Sequence, residues 1–215
     1  GANYKLAQNA LSGVTANITK KELTTTGLTA ENKIYDGLDT ATIDTTSATI
    51  SGKIDGDYLT IDSAQGKFSD KNVDKDKKVG ITTVNLSGVD ANNYMVQTNS
   101  ITGVTADITK KSVSLTYTAE NKTYDGTTDA TVSDSINDII GEDVVTISES
   151  ASFATKNAGE NITVNITGMS LGGEDAANYN LTSTTDSTTA TINTKDITVS
   201  YTAAGKTYDG TTDAT

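Results

Sequence analysis

Apolar residues in this chain recur at every second position in short runs. Leu59 and Ile61 alternate with polar neighbours, as do Val79 and Ile81, Val145 and Ile147, Val164 and Ile166, and the run Val104, Ala106, Ile108. Such alternation sends one set of side chains to a core and the other to water, the signature of a half-buried strand. Turn-forming residues end the runs: Tyr35-Asp36-Gly37, Lys71-Asn72 and Ser87-Gly88. No segment holds a 3.6-residue period over three turns, so the pattern predicts an all-β chain. In order, it predicts a Thr-rich strand over 22–30, a short strand over 40–43 and one over 57–62. A short segment begins at Phe68 and ends at Lys71-Asn72, and the strand of Val79 and Ile81 follows. Two more strands come after the loop Asp90-Ala91-Asn92-Asn93-Tyr94. Thr is a good strand residue, which supports the first of these.

The pattern then repeats. Lys33-Ile34-Tyr35-Asp36-Gly37 returns as Lys122-Thr123-Tyr124-Asp125-Gly126 and as Lys206-Thr207-Tyr208-Asp209-Gly210, with tyrosines 89 and 84 residues apart. Ala-Asn-Tyr or Asn-Asn-Tyr units centred on Tyr4, Tyr94 and Tyr179 keep the same beat, and so does a Thr-Lys seam after Ile18, Ile108 and Ile192. Three marks on one period define tandem modules. Residues 1–17 are expected to end a preceding repeat, 18–107 and 108–191 to be whole repeats, and 192–215 to start another. About seven short strands per module, with turns every 8–12 residues, predicts tandem Ig-like β-sandwich repeats of about 85–90 residues. The seam at Lys110-Lys111 leaves almost no linker, which favours a stiff head-to-tail array.

Composition narrows the function. A net charge of −12 and a pI near 4.3 lack the basic footprint that nucleic acid or an anionic membrane needs. There is no Cys, so disulfides and thiol chemistry are absent, and no Pro to slow folding. With no His either, the usual general base is missing. No phosphate-binding Gly-rich loop occurs, and the expectation is a protein that is not an enzyme, with no catalytic, cofactor or metal residues.

Several residues still invite a site. Tyr35, Tyr124 and Tyr208 are expected to bury their rings above an Asp-Gly turn; exposed, they would make sugar-stacking platforms. Tyr94 and Tyr179 stand where a tyrosine corner ties down a loop, with Asn93 and Asn178 serving that loop's backbone. Asp55, Asp57, Asp62, Glu142, Asp143, Asp90, Asp175 and Glu174 offer oxygen ligands of the kind Ca²⁺ uses, yet none fits the spaced calcium loop. Lys71-Asn72, Lys156-Asn157, Lys33 and Lys122 supply the residue types of a Lys–Asn isopeptide, but adjacent residues on a turn cannot face each other.

At Lys-x-Tyr-Asp-Gly-Thr-Thr (122–128 and 206–212), Phe-x-x-Lys-Asn (68–72 and 153–157) and Leu-x-Gly-x-Asp-Ala-x-Asn-Tyr (86–94), the chain resembles the YDG repeats of filamentous-haemagglutinin-type bacterial adhesins. Module one departs from the pattern at Leu38-Asp39, and module two at 171–174. The resemblance implies export to the cell surface or beyond. It also implies stalk or spacer repeats that hold an adhesive region away from the cell, with neighbouring repeats as partners. The alternative is that the repeats themselves bind host glycan or biofilm polysaccharide. Sequons at Asn17, Asn85, Asn121, Asn161, Asn165 and Asn180 leave glycosylation open, as some related adhesins carry sugars.

Overall fold

The computed structural model describes Gly13 and residues 15–213, so the strand expected around Tyr4 and the position of Val14 lie outside the described residues. The chain divides into two compact units, Gly1–Lys111 and Ser112–Thr215. Both are built from strands and short 3-10 turns; the described residues contain no α-helix.

The first unit contains β1 (Lys21–Thr26), β2 (Thr29–Ala30), β3 (Lys33–Ile34), β4 (Thr40–Asp44), β5 (Thr49–Ser51), β6 (Thr60–Phe68), β7 (Asp74–Ser87), β8 (Tyr94–Val96) and β9 (Thr105–Thr109). They form two sheets, one ordered β5-β1-β8 and one ordered β2-β4-β6-β7-β9-β3. Most neighbours run antiparallel, but β1 lies parallel to β8 and β3 lies parallel to β9. Alternation along β7 turns Lys77, Val79 and Ile81 inward, as the sequence predicts for the last two. Leu23 of β1, Leu59 ahead of β6 and Tyr94 of β8 form a buried cluster, covered by Ile50, Leu86 and Val96 from both sheets.

Two expectations need correction here. The strand foreseen over 22–30 is two strands, because Gly27 adopts φ +80° and a Cβ there would sit 2.3 Å from the Ser47 carbonyl oxygen. Only glycine tolerates both the angle and the approach. The chain therefore leaves the three-stranded sheet at Gly27 and enters the six-stranded one as β2. Phe68 closes β6 rather than opening a new segment. It is buried opposite Val79, and its N–H donates to the Asp39 carbonyl at 2.7 Å.

The second unit follows the same order through β10 (Lys111–Ala119), β11 (Lys122–Thr123), β12 (Val132–Asn137), β13 (Thr146–Phe153), β14 (Gly159–Gly172), β15 (Tyr179–Leu181) and β16 (Asp186–Asn193). Its sheets are β12-β10-β15 and β11-β16-β14-β13. Phe153, Val164, Ala190 and Ile192 form its core cluster, with Ala119 and Val132 from the other sheet against it. β11 again runs parallel to the last strand. A single residue, Lys110, separates β9 from β10, and residues 194–213 form no strand.

Candidate functional site

The repeated Lys-x-Tyr-Asp-Gly stretch builds a polar node at the end of β3. Gly37, at φ +78°, lets the chain reverse, and the Asp36 carboxylate accepts the Leu38 N–H at 2.9 Å across the turn. Lys33 Nζ reaches Asp36 Oδ1 at 2.7 Å, the Leu38 carbonyl at 2.7 Å and the Thr40 carbonyl at 3.0 Å. An ammonium has three protons to donate, and all three are placed. Its charge also stands 5.6 Å from the centre of the Phe68 ring, a cation–π distance. One side chain thus joins β3, the start of β4 and the end of β6.

The second unit repeats the node and adds a bond to the Thr127 hydroxyl at 3.1 Å. Lys122 Nζ meets Asp125 Oδ1 at 3.0 Å, the Thr127 carbonyl at 3.0 Å, the Asp129 carbonyl at 2.9 Å and the Phe153 ring at 5.4 Å. The Thr127 N–H and the Lys122 ammonium together hold the Asp125 carboxyl down at about 2. Burial opposes the same shift at Asp36, but the bonds from Lys33 and Leu38 outweigh it. At 206–211 the turn alone is present: Lys206 and the Thr211 N–H lower Asp209 in the same way. The sequence patterns around Lys-x-Tyr-Asp-Gly and Phe-x-x-Lys-Asn are therefore two halves of one contact.

The tyrosines of the motif do not share one environment. Tyr35 is buried at 2% exposure, Tyr124 is 36% exposed and Tyr208 is 92% exposed. Lys71 is half-buried with its ammonium 5.9 Å from the Tyr35 ring, whereas the matching Lys156 is exposed and leaves Tyr124 partly open. Tyr208 lies among residues that form no strand, so no sheet covers it.

A second tie uses the later tyrosines. Tyr94 donates to the Asp57 carboxylate and accepts the Ile54 N–H at 3.1 Å; Tyr179 donates to Asp143 at 2.6 Å and accepts the Ile140 N–H at 3.0 Å. Asp57, followed by burial, raises the Tyr94 hydroxyl pKa. Asp90 and Asp175 accept the N–H groups of Tyr58 and Val144 at 2.8 and 2.9 Å. Four carboxylates considered as calcium ligands thus receive protein donors. Among the described residues, no three Asp or Glu side chains gather in a metal-holding group. Glycines 88 and 173 close this loop against residues 58 and 144, where a Cβ would lie 2.5 Å from a carbonyl oxygen.

Sequence reasoning missed Asn32. Its Oδ1 accepts the Asp107 N–H at 2.7 Å, and Asn121 does the same for Thr191 at 2.7 Å. The signal was present in the repeated Glu-Asn-Lys at 31–33 and 120–122. Lys77 was missed too: it is 7% exposed and pairs with Asp70 at 2.8 Å. Tyr117 is the odd one, with a buried hydroxyl that has no hydrogen-bond partner among the described residues. Burial first, then Glu149, Asp134 and Asp186, push its pKa up to about 12. All six sequon asparagines are exposed; Asn85 and Asn180 donate to the hydroxyls of Ser63 and Ser112. Lys33 and Lys122 spend their donors in the nodes, away from Asn72 and Asn157.

No curated protein and no solved structure matches this chain. A family model, the YDG domain, matches residues 19–101 and again 109–190. With both matches covering most of the chain and each enclosing a complete node and tyrosine tie, the protein belongs to the YDG domain family as two tandem copies.

Proposed function

We propose that these repeats are Ig-like β-sandwich spacers of a bacterial cell-surface or secreted adhesin, holding an adhesive region away from the cell. The observation that carries the reading is the recurrence of two polar ties, the Lys-Asp-Phe node and the Tyr-Asp loop clamp, in tandem units whose strands are one residue apart. Both ties consume their own donors and acceptors inside the unit, which suits a building block rather than a reaction centre. The acidic surface keeps neighbouring arrays apart. Partners are the adjoining repeats, and no cofactor or catalysis is part of the proposal.

Small-angle scattering on the chain, in calcium and then in chelator, tests it. Each unit is expected to be roughly 35–40 Å long, from strands of about ten residues at ~3.3 Å each plus loops. A rod near twice that length in both buffers supports a metal-independent spacer. A compact or freely jointed particle overturns it, and a rod only in calcium places metal in the array. Glycan binding stands second. It draws on Tyr58, 66% exposed beside the loop of Val89, but the second unit has Val144 at that place, so the platform is not repeated.

A further inference from the structure

The parallel pairings have a consequence for a chain held at both ends. In the first unit the entering strand β1 pairs with β8 through Lys21↔Tyr94, Glu22↔Met95 and Leu23↔Val96. The next contact with the exit strand is also parallel: Lys33↔Ile108 and Ile34↔Thr109 join β3 to β9. Tyr35 N–H donates to the Thr109 carbonyl at 2.8 Å, Thr109 Oγ1 donates to the Lys33 carbonyl at 3.2 Å, and Asn32 receives the Asp107 N–H. The second unit copies this with Lys122↔Ile192, Thr123↔Asn193, Tyr124 N–H to the Asn193 carbonyl at 2.9 Å, and Thr191 N–H to Asn121 Oδ1.

Parallel strands have their starts at one end and their finishes at the other. Tension on the incoming start of one strand and the outgoing finish of its partner therefore slides them lengthwise. Slanted, evenly spaced bonds then carry load together instead of opening one by one. Lys33, the first residue of β3, carries the node that ties this strand to the turn beyond it, to β4 and to Phe68. We propose that each unit is a shear-loaded mechanical clamp, and that the family's signature turn is the anchor that stops the clamp strand from slipping. Its use rests on the spacer reading; its geometry does not.

Single-molecule pulling tests this on the full chain, which has no cysteine of its own. Handles at the two termini load the clamps lengthwise. Handles at the exposed residues Ile34→Cys and Lys110→Cys, at the same end of β3 and β9, draw the same two strands apart sideways. Forced unfolding reports the unfolding barrier, and the terminal direction is expected to need roughly twice the sideways force or more at equal loading rate. Equal forces in the two directions overturn the proposal. Should that double variant not fold, handles at Thr60→Cys and Ser87→Cys open the antiparallel β6–β7 pair from its free end and give the low-force reference. Asn32→Ala is expected to lower the terminal force of one unfolding event and leave the sideways force unchanged. A fall in both directions marks Asn32 as merely structural and removes it from the clamp. A rod in scattering with weak terminal force sinks the clamp alone, while a jointed particle with strong terminal force sinks the spacer alone.

Discussion

The two units are near-copies in their ties and differ at their margins. In the first, Gly27 breaks the opening strand and β4 lies beside β6 through three registered pairs, Thr40↔Lys67, Ala41↔Gly66 and Thr42↔Gln65. In the second, β10 runs unbroken for nine residues, and the matching edge is held by one isolated bridge, Asp129↔Ser152. Gly66 explains part of the contrast. A Cβ there would lie 2.7 Å from Ile43 Cδ1, so its absence lets Ile43 settle over β6. The second unit has Ala151 and Ser152 in that stretch of β13, and no glycine. The extent of the pairing beside β6 is thus set in part by a single small residue, while the nodes that fix the sheet's corners are reproduced to a few tenths of an ångström.

The comparison can be broken most severely at the shared loop. Gly88 has φ +113° and Gly173 φ +98°, and each lies against a backbone carbonyl rather than a movable side-chain tip. Gly88→Ala and Gly173→Ala are each expected to destabilise their own unit by about 3 kcal/mol, read as one of two transitions shifting in denaturant titration. Equal loss in both transitions would show the units unfold as one.

Next come the tyrosines, where like substitutions should have unlike signs. Tyr94→Phe and Tyr179→Phe strip a donor from a carboxylate and an acceptor from a backbone N–H, at an expected cost of about 1–3 kcal/mol. Tyr117→Phe removes a hydroxyl that has no partner among the described residues and should be neutral or stabilising by up to about 1 kcal/mol. Differential scanning calorimetry of the three variants decides it; a destabilised Tyr117→Phe would reveal a bond through water.

A smaller effect tests the buried charge. Ile162 occupies in the second unit the place of Lys77, and Thr155 that of Asp70. Asp70→Ala alone leaves the Lys77 ammonium uncompensated; because the Asp70 side chain is half-exposed, the expected cost is about 1–2 kcal/mol, between that of a surface pair and a buried one. Asp70→Thr with Lys77→Ile, which copies the second unit, should restore or exceed the starting stability in a urea titration.

The smallest is a pH effect at the nodes. Asp125 lies lower folded, at about 2, than in an unfolded chain. Its contribution is therefore complete above the ordinary carboxyl range near 4 and is lost as pH falls toward 2. Glu149, raised by burial and by Asp134, works the other way and relaxes as acid protonates it. Asp125→Asn should flatten the acid limb of the second unit's stability curve, and the first unit's limb should not move.

The all-β character, the period and most strand positions were legible because alternation and turn residues are local. Val79, Ile81, Val164 and Ile166 face inward as their spacing demands. The tyrosine tie was legible as a type, since a Tyr after an acidic loop needs a hydroxyl partner, though the sequence does not single out Asp57 and Asp143 from the other acidic residues as the acceptors. What escaped were facts set by distant partners. Nothing local to Glu22–Ala30 says that Ser47 will pass within reach of Gly27. Nothing local to Lys33 says that Phe68 will lie under its charge. The uneven burial of Tyr35, Tyr124 and Tyr208 follows from what stands opposite them, which identical motifs cannot report.

The parallel pairing of β3 with β9 also orders events in time. Lys33 must wait for Ile108, 75 residues later in the chain, before its sheet can close, and such non-local closures are slow. On a ribosome, however, β9 emerges when β3 is already waiting and β11, which carries the same Glu-Asn-Lys lead, is still inside the exit tunnel. Synthesis from the N-terminus therefore offers each closing strand only its own repeat's partner. A chain released whole from denaturant meets both candidates at once and is open to exchange between repeats, the characteristic error of tandem arrays.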